Sequence, residues 1–475
     1  MDASLTFYHL QKTSQLARLC GIKDSNLHSV RNQILSLARL PIPPMPLAVC
    51  RKSGCKGTTN NRITQTMNQT FYHTLPNGIR VVHRQTPSAV AYVGVMVGTG
   101  TRDEQPAENG MAHYIEHCVF KGTAHHTARQ IINSIEGIGG EINAYTTKEE
   151  TTFYAATLTE HITRTLHLIA EMVLCPTFPQ HETDKERTVI YDEIEGYNDS
   201  PSELIYDDFE NLVFQGHSLA MPILGTKKTL RHISSSPANP LAWMAQHYRP
   251  DRMVVFCQGN LSPERFFRLA EREFGGVQPS LETVRRTAPA LIPVAETSFR
   301  KHTHQTHVML GNRAYPLGHE YQLPLYLLNN ILGGGSLNSH LNISLREARG
   351  LVYTIESAYT PLSDTGYWCI YFACEPEYLG HCLDLAKQEL AHLCDKPLTD
   401  TALLNALTQL RGQMAISAEN QENNALAMAK SVLYYGYAPT WEETFARISQ
   451  TTPAILQSVA CETLSPDSLF LLTYL

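Results

Sequence analysis

The chain has 475 residues, 43% hydrophobic and 17% charged, an ordinary globular composition whose length calls for two or more domains. Its formal net charge is −7, yet residues 1–66 carry nine Lys/Arg against two acids, a net of +7, which leaves −14 on the remainder. The acidic body argues against a nucleic-acid partner, and the sequence has no run of 18 uninterrupted apolar residues that would span a membrane.

Residues 1–66 lack strand alternation, and their helix-like patches stop at Leu40-Pro41-Ile42-Pro43-Pro44. This segment is expected to be disordered. Three origins stay open: a basic, acid-poor transit peptide, a secretion signal, or upstream sequence ahead of a true start at Met67. The last is favoured, because a strand, an Asn77-Gly78 turn and a second strand follow within Phe71–Val82. Eleven cysteines form no CxxC pair. Several, such as Cys118, Cys257 and Cys369, sit in apolar contexts, which predicts reduced thiols.

Beyond the hairpin, Ala91–Val97 reads as an apolar strand, and Asn109-Gly110 opens a helix. Ile131–Ile138 reads as a second helix closed by Gly139-Gly140. Residues 141–146 and 151–158 read as paired strands, 161–175 as an amphipathic helix, and a long helix begins after Pro179. A proline-punctuated stretch at 279–297 is the expected linker. The order then recurs: strand 306–311, helix 321–332, strands 352–360 and 367–374, helix 378–394. The expectation is an α+β fold of two homologous domains, 67–278 and 298–475, each a mostly antiparallel sheet with helices packed on one face.

The first helix carries His113-Tyr114-Ile115-Glu116-His117. Positions i and i+4 share a helical face, so both imidazoles can reach one Zn2+, and Glu116 at i+3 faces the same ion as a general base. The plain alternative is a pair of partly exposed histidines beside a carboxylate. Two imidazoles leave zinc short of a ligand. Glu193, 76 residues after His117, completes a His₂Glu set, and Glu186 lies two turns earlier on the same face, where it can orient a ligand or help move protons. An exposed acidic helix face is the simpler account of that pair. His125-His126, His217 and the alternating His302, His304 and His307 are expected to be peripheral, with His217 at most lining the cleft.

Together these residues resemble the pitrilysin (inverzincin) family of zinc peptidases, in a processing-peptidase-like bacterial branch. The family includes insulin-degrading enzyme and the mitochondrial processing peptidases. The HxxEH run and its 76-residue interval to Glu193 match the family's ligand spacing, and Phe120-Lys121-Gly122-Thr123 and Gly139–Thr146 are similar to that branch. The resemblance spans roughly residues 70–475. It implies one zinc per chain and endopeptidase action on short or unfolded polypeptides. It implies that Arg346 and Tyr353, from the second domain, contact the substrate backbone and oxyanion, and that Asn143 and Ala144 hold an added substrate strand. It also implies a homodimer, or a heterodimer with a related subunit. The alternative is a non-catalytic processing-peptidase-like assembly subunit, against which the intact ligand set weighs. A metal-dependent thioether lyase is a further alternative, disfavoured by the Arg346/Tyr353 half. A start at Met67 implies a bacterial cytoplasmic protein, and a transit peptide implies the mitochondrial matrix.

Overall fold

The structure, a computed structural model, describes residues 69–279, 285–301 and 303–475. The expected extension at 1–66, His302 and part of the expected linker lie outside these residues.

Six strands build the first sheet: β1 (Thr70–Thr74), β2 (Arg80–Gln85), β3 (Val90–Val97), β4 (Glu141–Thr146), β5 (Thr151–Leu158) and β6 (Met253–Gly259). Their order is β1-β2-β6-β3-β5-β4, antiparallel except for the parallel pair β2/β6. The helices of this half are α1 (Met111–Cys118), α2 (Ala128–Glu136), α3 (Ile162–Leu174), α4 (Gln180–Asn198), α5 (Pro201–Val213), α6 (Lys227–Ile233), α7 (Ala238–His247) and α8 (Pro263–Phe274).

The second sheet has β7 (Glu296–Phe299), β8 (Thr306–Arg313), β9 (Val352–Pro361), β10 (Gly366–Cys374) and β11 (Phe470–Tyr474), in the order β7-β11-β8-β10-β9. Only β7/β11 is parallel. Its helices are α9 (Gln322–Gly333), α10 (Leu379–Asp395), α11 (Asp400–Ser417), α12 (Gln421–Tyr435), α13 (Trp441–Ile448) and α14 (Pro453–Thr463). The topology repeats that of the first sheet strand for strand, with β1 as the one addition. In each half the last strand returns to the interior of the sheet, β6 running parallel to β2 and β11 parallel to β7.

Expected strands 141–146 and 151–158 coincide with β4 and β5. Three strands had no counterpart in the sequence reading: β6, β11 and β7, the last of which starts inside the expected 279–297 linker. Of these, β6 is buried at every position, so it shows no polar alternation to detect.

Burial explains how the halves meet. On one face of the first sheet, Val93, Val95, Phe153 and Val255 pack against its own helices. On the opposite face Val82, Met96, Tyr154, Val254 and Phe256 are also buried, against Ala425, Met428, Ala429 and Val432 of α12, a helix of the second half. The exchange is mutual. The second sheet packs Val308, Leu310, Trp368 and Ile370 on its own helices, and its other face, with Met309, Cys369, Phe470 and Leu472, receives Ile205, Phe209 and Val213 of α5. Helices of each half thus cover one face as expected, and the second face is closed by a helix from the other half. Among the described residues no helix is long and apolar enough to cross a membrane, and all eight cysteines are free.

Phe209 has no solvent exposure and lies at the centre of this exchange. Phe209→Ala is expected to cost about 3–5 kcal/mol of unfolding free energy, read from the urea midpoint at unchanged m-value.

Candidate metal centre

Helix α1 starts at Gly110, whose φ of +94° glycine adopts without strain, and where a Cβ would meet the Gly225 backbone at 2.9 Å. Seven of its eight residues are buried. Ala112, Ile115 and Cys118 join the core cluster, which turns His113, Glu116 and His117 toward α4. Along α4, Glu186 and Glu193 stand seven residues apart on the face that meets α1.

The Glu193 Oε2 atom lies 3.7 Å from His113 Nε2 and 3.6 Å from His117 Nε2. One ligand atom from each of these residues falls within 4.8 Å of the others, and the imidazole centroids are 4.5 Å apart. Tetrahedral ligands about 2.1 Å from zinc are about 3.4 Å from one another, so the three atoms surround a space of the right size. Both His113 Nε2 and Glu193 Oε2 are buried with no hydrogen-bond partner. Buried polar atoms are ordinarily paired, and three converging atoms from a His₂Glu donor set fit a zinc ion.

Glu186 supports this arrangement from behind. Its Oε1 lies 2.9 Å from His117 Nδ1 and its Oε2 lies 2.6 Å from Lys121 Nζ. With Nδ1 engaged, His117 turns Nε2 toward Glu193 and His113. Burial opposes charge on His117, but the Glu186 hydrogen bond and the carboxylates of Glu193 and Glu116 outweigh it and raise its pKa. Burial pushes His113 well below the usual histidine value, and the charge of His117 adds to that. Burial also raises Glu193, while His117 and Lys121 overcome burial to hold Glu186 below the usual carboxylate range. Glu116 is 7% exposed, and after burial its charge is the next cause that raises the Tyr248 phenol.

The structure brings His113, Glu116, His117, Glu186 and Glu193 together. Asn143 and Ala144 lie on β4, the edge strand of the first sheet, opposite Tyr154 and Phe153 of β5. This strand packs beside α1. Arg346 and Tyr353 lie apart from this cluster, Arg346 in the helical turn at 342–347 and Tyr353 on β9. The guanidinium sits 5.7 Å from the Tyr353 ring centroid, and Tyr353, on the edge strand β9, is 68% exposed. Among the described residues neither side chain bonds to the histidine cluster. His126 pairs with Glu171, His217 with the Thr287 carbonyl and His307 with the Tyr371 hydroxyl. The Glu171 carboxylate is a partner the sequence reading did not assign to the His125-His126 run.

Two residues of the site were missed. Lys121 lies at i+4 from His117, a spacing that could have flagged it. Glu104 bonds the backbone that opens α1, and an acid shortly before Asn109-Gly110 is the only trace it leaves in the sequence.

The chain is similar to known proteins along most of its length. Residues 80–227 match the model of Insulinase (Peptidase family M16), and residues 239–410 match that of the Peptidase M16 inactive domain. The uncharacterized zinc protease YmxG of Bacillus subtilis (strain 168) is 32% identical over 83% of this chain and 96% of its own length. An uncharacterized zinc protease of Streptomyces coelicolor is 31% identical over 82% of this chain and 86% of its own length. Among solved structures, a protease from Helicobacter pylori superposes with a TM-score of 0.78 at 20% identity, covering 86% of this chain and all of its own. A peptidase M16 inactive domain from Pseudomonas fluorescens superposes with a TM-score of 0.77 at 20% identity, covering 86% of this chain and 97% of its own, and both likenesses carry the two-sheet fold. With relatives of this identity along four-fifths of its length, the chain belongs to peptidase family M16.

Proposed function

We propose that this protein is a zinc metallo-endopeptidase that hydrolyses peptide bonds of short or unfolded polypeptides. The observation that carries the reading is the convergence of His113, His117 and Glu193 on one space, with two of their three facing atoms otherwise unpaired. These three residues would hold one zinc. When bound, zinc acidifies a water molecule and polarises a carbonyl oxygen. Glu116, at i+3 from His113 on the same helical face, takes the proton of the attacking water and returns it to the leaving amine. Glu186 holds His117 in the tautomer that leaves Nε2 free.

The outer edge of β4 offers unpaired backbone groups beside α1, and a substrate segment adds there as a further strand through Asn143 and Ala144. Main-chain pairing of this kind tolerates varied side chains and requires an extended substrate, which selects unfolded chains. In this reading residues 67–278 form the catalytic domain, 279–297 the linker, and 298–475 the second domain. Arg346 and Tyr353 face outward, so we read the active unit as a dimer in which this pair serves the metal centre of the other chain. Its bacterial relatives favour a cytoplasmic setting.

Glu116→Gln tests the mechanism. The variant is expected to keep about one zinc per chain and to lose on the order of 10²–10⁴-fold in kcat on a quenched peptide library. Loss of zinc, or retention of activity, would sink the assignment of Glu116 as base.

Zinc affinity should fall with pH, because the metal takes only neutral imidazole and His117 has a raised pKa in the metal-free protein. Below that pKa the zinc dissociation constant is expected to rise about tenfold per pH unit. His113, already neutral through burial, adds no second step near neutrality. Competition with a chromogenic chelator between pH 5.5 and 8.5 reads this slope.

The dimer reading has its own check. Mixing Glu116→Gln with Tyr353→Phe chains should restore activity, to roughly a quarter of wild type for random two-fold pairing. No restoration in dimers that demonstrably exchange subunits would assign base and tyrosine to the same chain's site.

A further inference from the structure

Three consecutive residues after β3, namely Arg102, Asp103 and Glu104, point to three different parts of the molecule. Arg102 is 4% exposed. It donates to Glu149 at 2.6 Å, to Asp364 of the second half at 2.5 Å and to the Thr287 carbonyl at 2.9 Å. Asp103 accepts from Arg286 at 2.7 Å and from Arg252 at 3.0 Å. Glu149 closes the cluster by accepting from the Ser363 amide and hydroxyl at 2.8 and 2.6 Å. The first half, the segment at 285–287 and the second half therefore meet in one buried polar cluster.

Glu104, 3% exposed, turns the other way. Its Oε2 accepts from the Gly110 amide at 2.8 Å and from Asn109 Nδ2 at 3.2 Å, and its Oε1 accepts from the Ala112 amide at 2.8 Å. Helix α1 has no cap from its own first residue, since Gly110 has no side chain. The Glu104 carboxyl group supplies that cap from six residues upstream by accepting from the Gly110 and Ala112 amides. The cap matters more here than on a long helix. Two turns carry both His113 and His117, and a 10° rotation about the axis moves an imidazole tip by about 1 Å. Zinc sites hold their bond lengths to about 0.2 Å.

We propose that Glu104 is a positioning residue for α1, and that Arg102 and Asp103 tie its placement to the interface between the halves. This rests on the reading of His113, His117 and Glu193 as zinc ligands. Closure of the second half on Arg102 fixes the loop at 98–104. The loop fixes Glu104, and Glu104 sets the rotation of the helix that carries two ligands.

The test uses the full chain with Glu104→Ala, Glu104→Gln, Asp364→Ala and His113→Ala. Zinc dissociation constants are measured by chelator competition, and ligand geometry by the visible absorption of the cobalt-substituted protein. Folded Glu104→Ala should bind zinc about tenfold more weakly with an altered cobalt spectrum. Glu104→Gln keeps one acceptor oxygen and should fall between Ala and wild type. Asp364→Ala touches no part of α1 and should still weaken zinc roughly threefold. Wild-type affinity and spectrum in folded Glu104→Ala overturn the positioning role. Should that variant not fold, the same result in Glu104→Gln overturns it. Wild-type values in Asp364→Ala overturn the tie to the interface. A wild-type chain that binds no zinc, or a His113→Ala chain that binds it unchanged, brings down the ligand reading itself, and the proposal with it.

Discussion

Both sheets are apolar on both faces, and this single constraint organises the molecule. A sheet whose strands alternate between two buried faces needs two covers, and the helices within one half supply only one. Helices α5 and α12 resolve this by crossing over, each burying its apolar side on the other half's sheet. Large apolar burial of this kind makes the two halves one body, unlike the small polar contacts that let domains swing freely. The loop at 98–104, the strand pair β4/β5 and the turn at 363–364 are then brought close enough to share the Arg102–Glu149–Asp364 cluster.

That cluster contributes specificity more than stability. Burying arginines and carboxylates costs several kcal/mol per ion in desolvation, and their mutual attraction offsets that only when every lone pair and proton is matched. Here Glu149 uses both oxygens, Asp103 both of its own, and Arg286 reaches two backbone carbonyls besides, while Asp364 Oδ1 and Arg252 Nη1 stay buried without a partner. An alternative docking angle of the two halves would leave some of these charges buried and unpaired. Apolar contact between α12 and the first sheet is tolerant of small slips, whereas this polar set is not. The two together give one closed arrangement.

How much of this was legible in the sequence depended on range. The i, i+3, i+4 pattern of His113, Glu116 and His117 and the seven-residue spacing of Glu186 and Glu193 are local, and helical periodicity alone predicts that each set shares a face. The repeat of strand and helix order was visible for the same reason. Strands β6 and β11 were not, because a strand buried on both faces has no polar alternation and its partners lie far away in the chain. Pairing of β2 with β6 joins residues some 170 positions apart, and no turn signal announces it. The reciprocal covering by α5 and α12 was equally hidden: an amphipathic helix declares that it has an apolar side but not which sheet receives it. Lys121 and Glu104 were missed because a single lysine and an acid within a charged run both read as solvent-exposed.

The same reasoning separates the two kinds of acid around α1. Glu193 and Glu186 come from one helix and face the same two histidines, yet burial raises the first while the second is held low. The difference lies in partners. Glu186 already has a cation in Lys121 and a hydrogen bond to His117, so it is ionised without help from a metal. Glu193 faces the imidazoles at a distance too long for a hydrogen bond, and its ionised form lacks a full counter-charge. A divalent cation among the three side chains would supply that missing charge and remove the reason for the raised value. In the proposed reading, two carboxylates on one face divide their work by environment, one to orient a histidine and one to be completed by the metal. This division follows from where Lys121 stands, one turn after His117 on the chain.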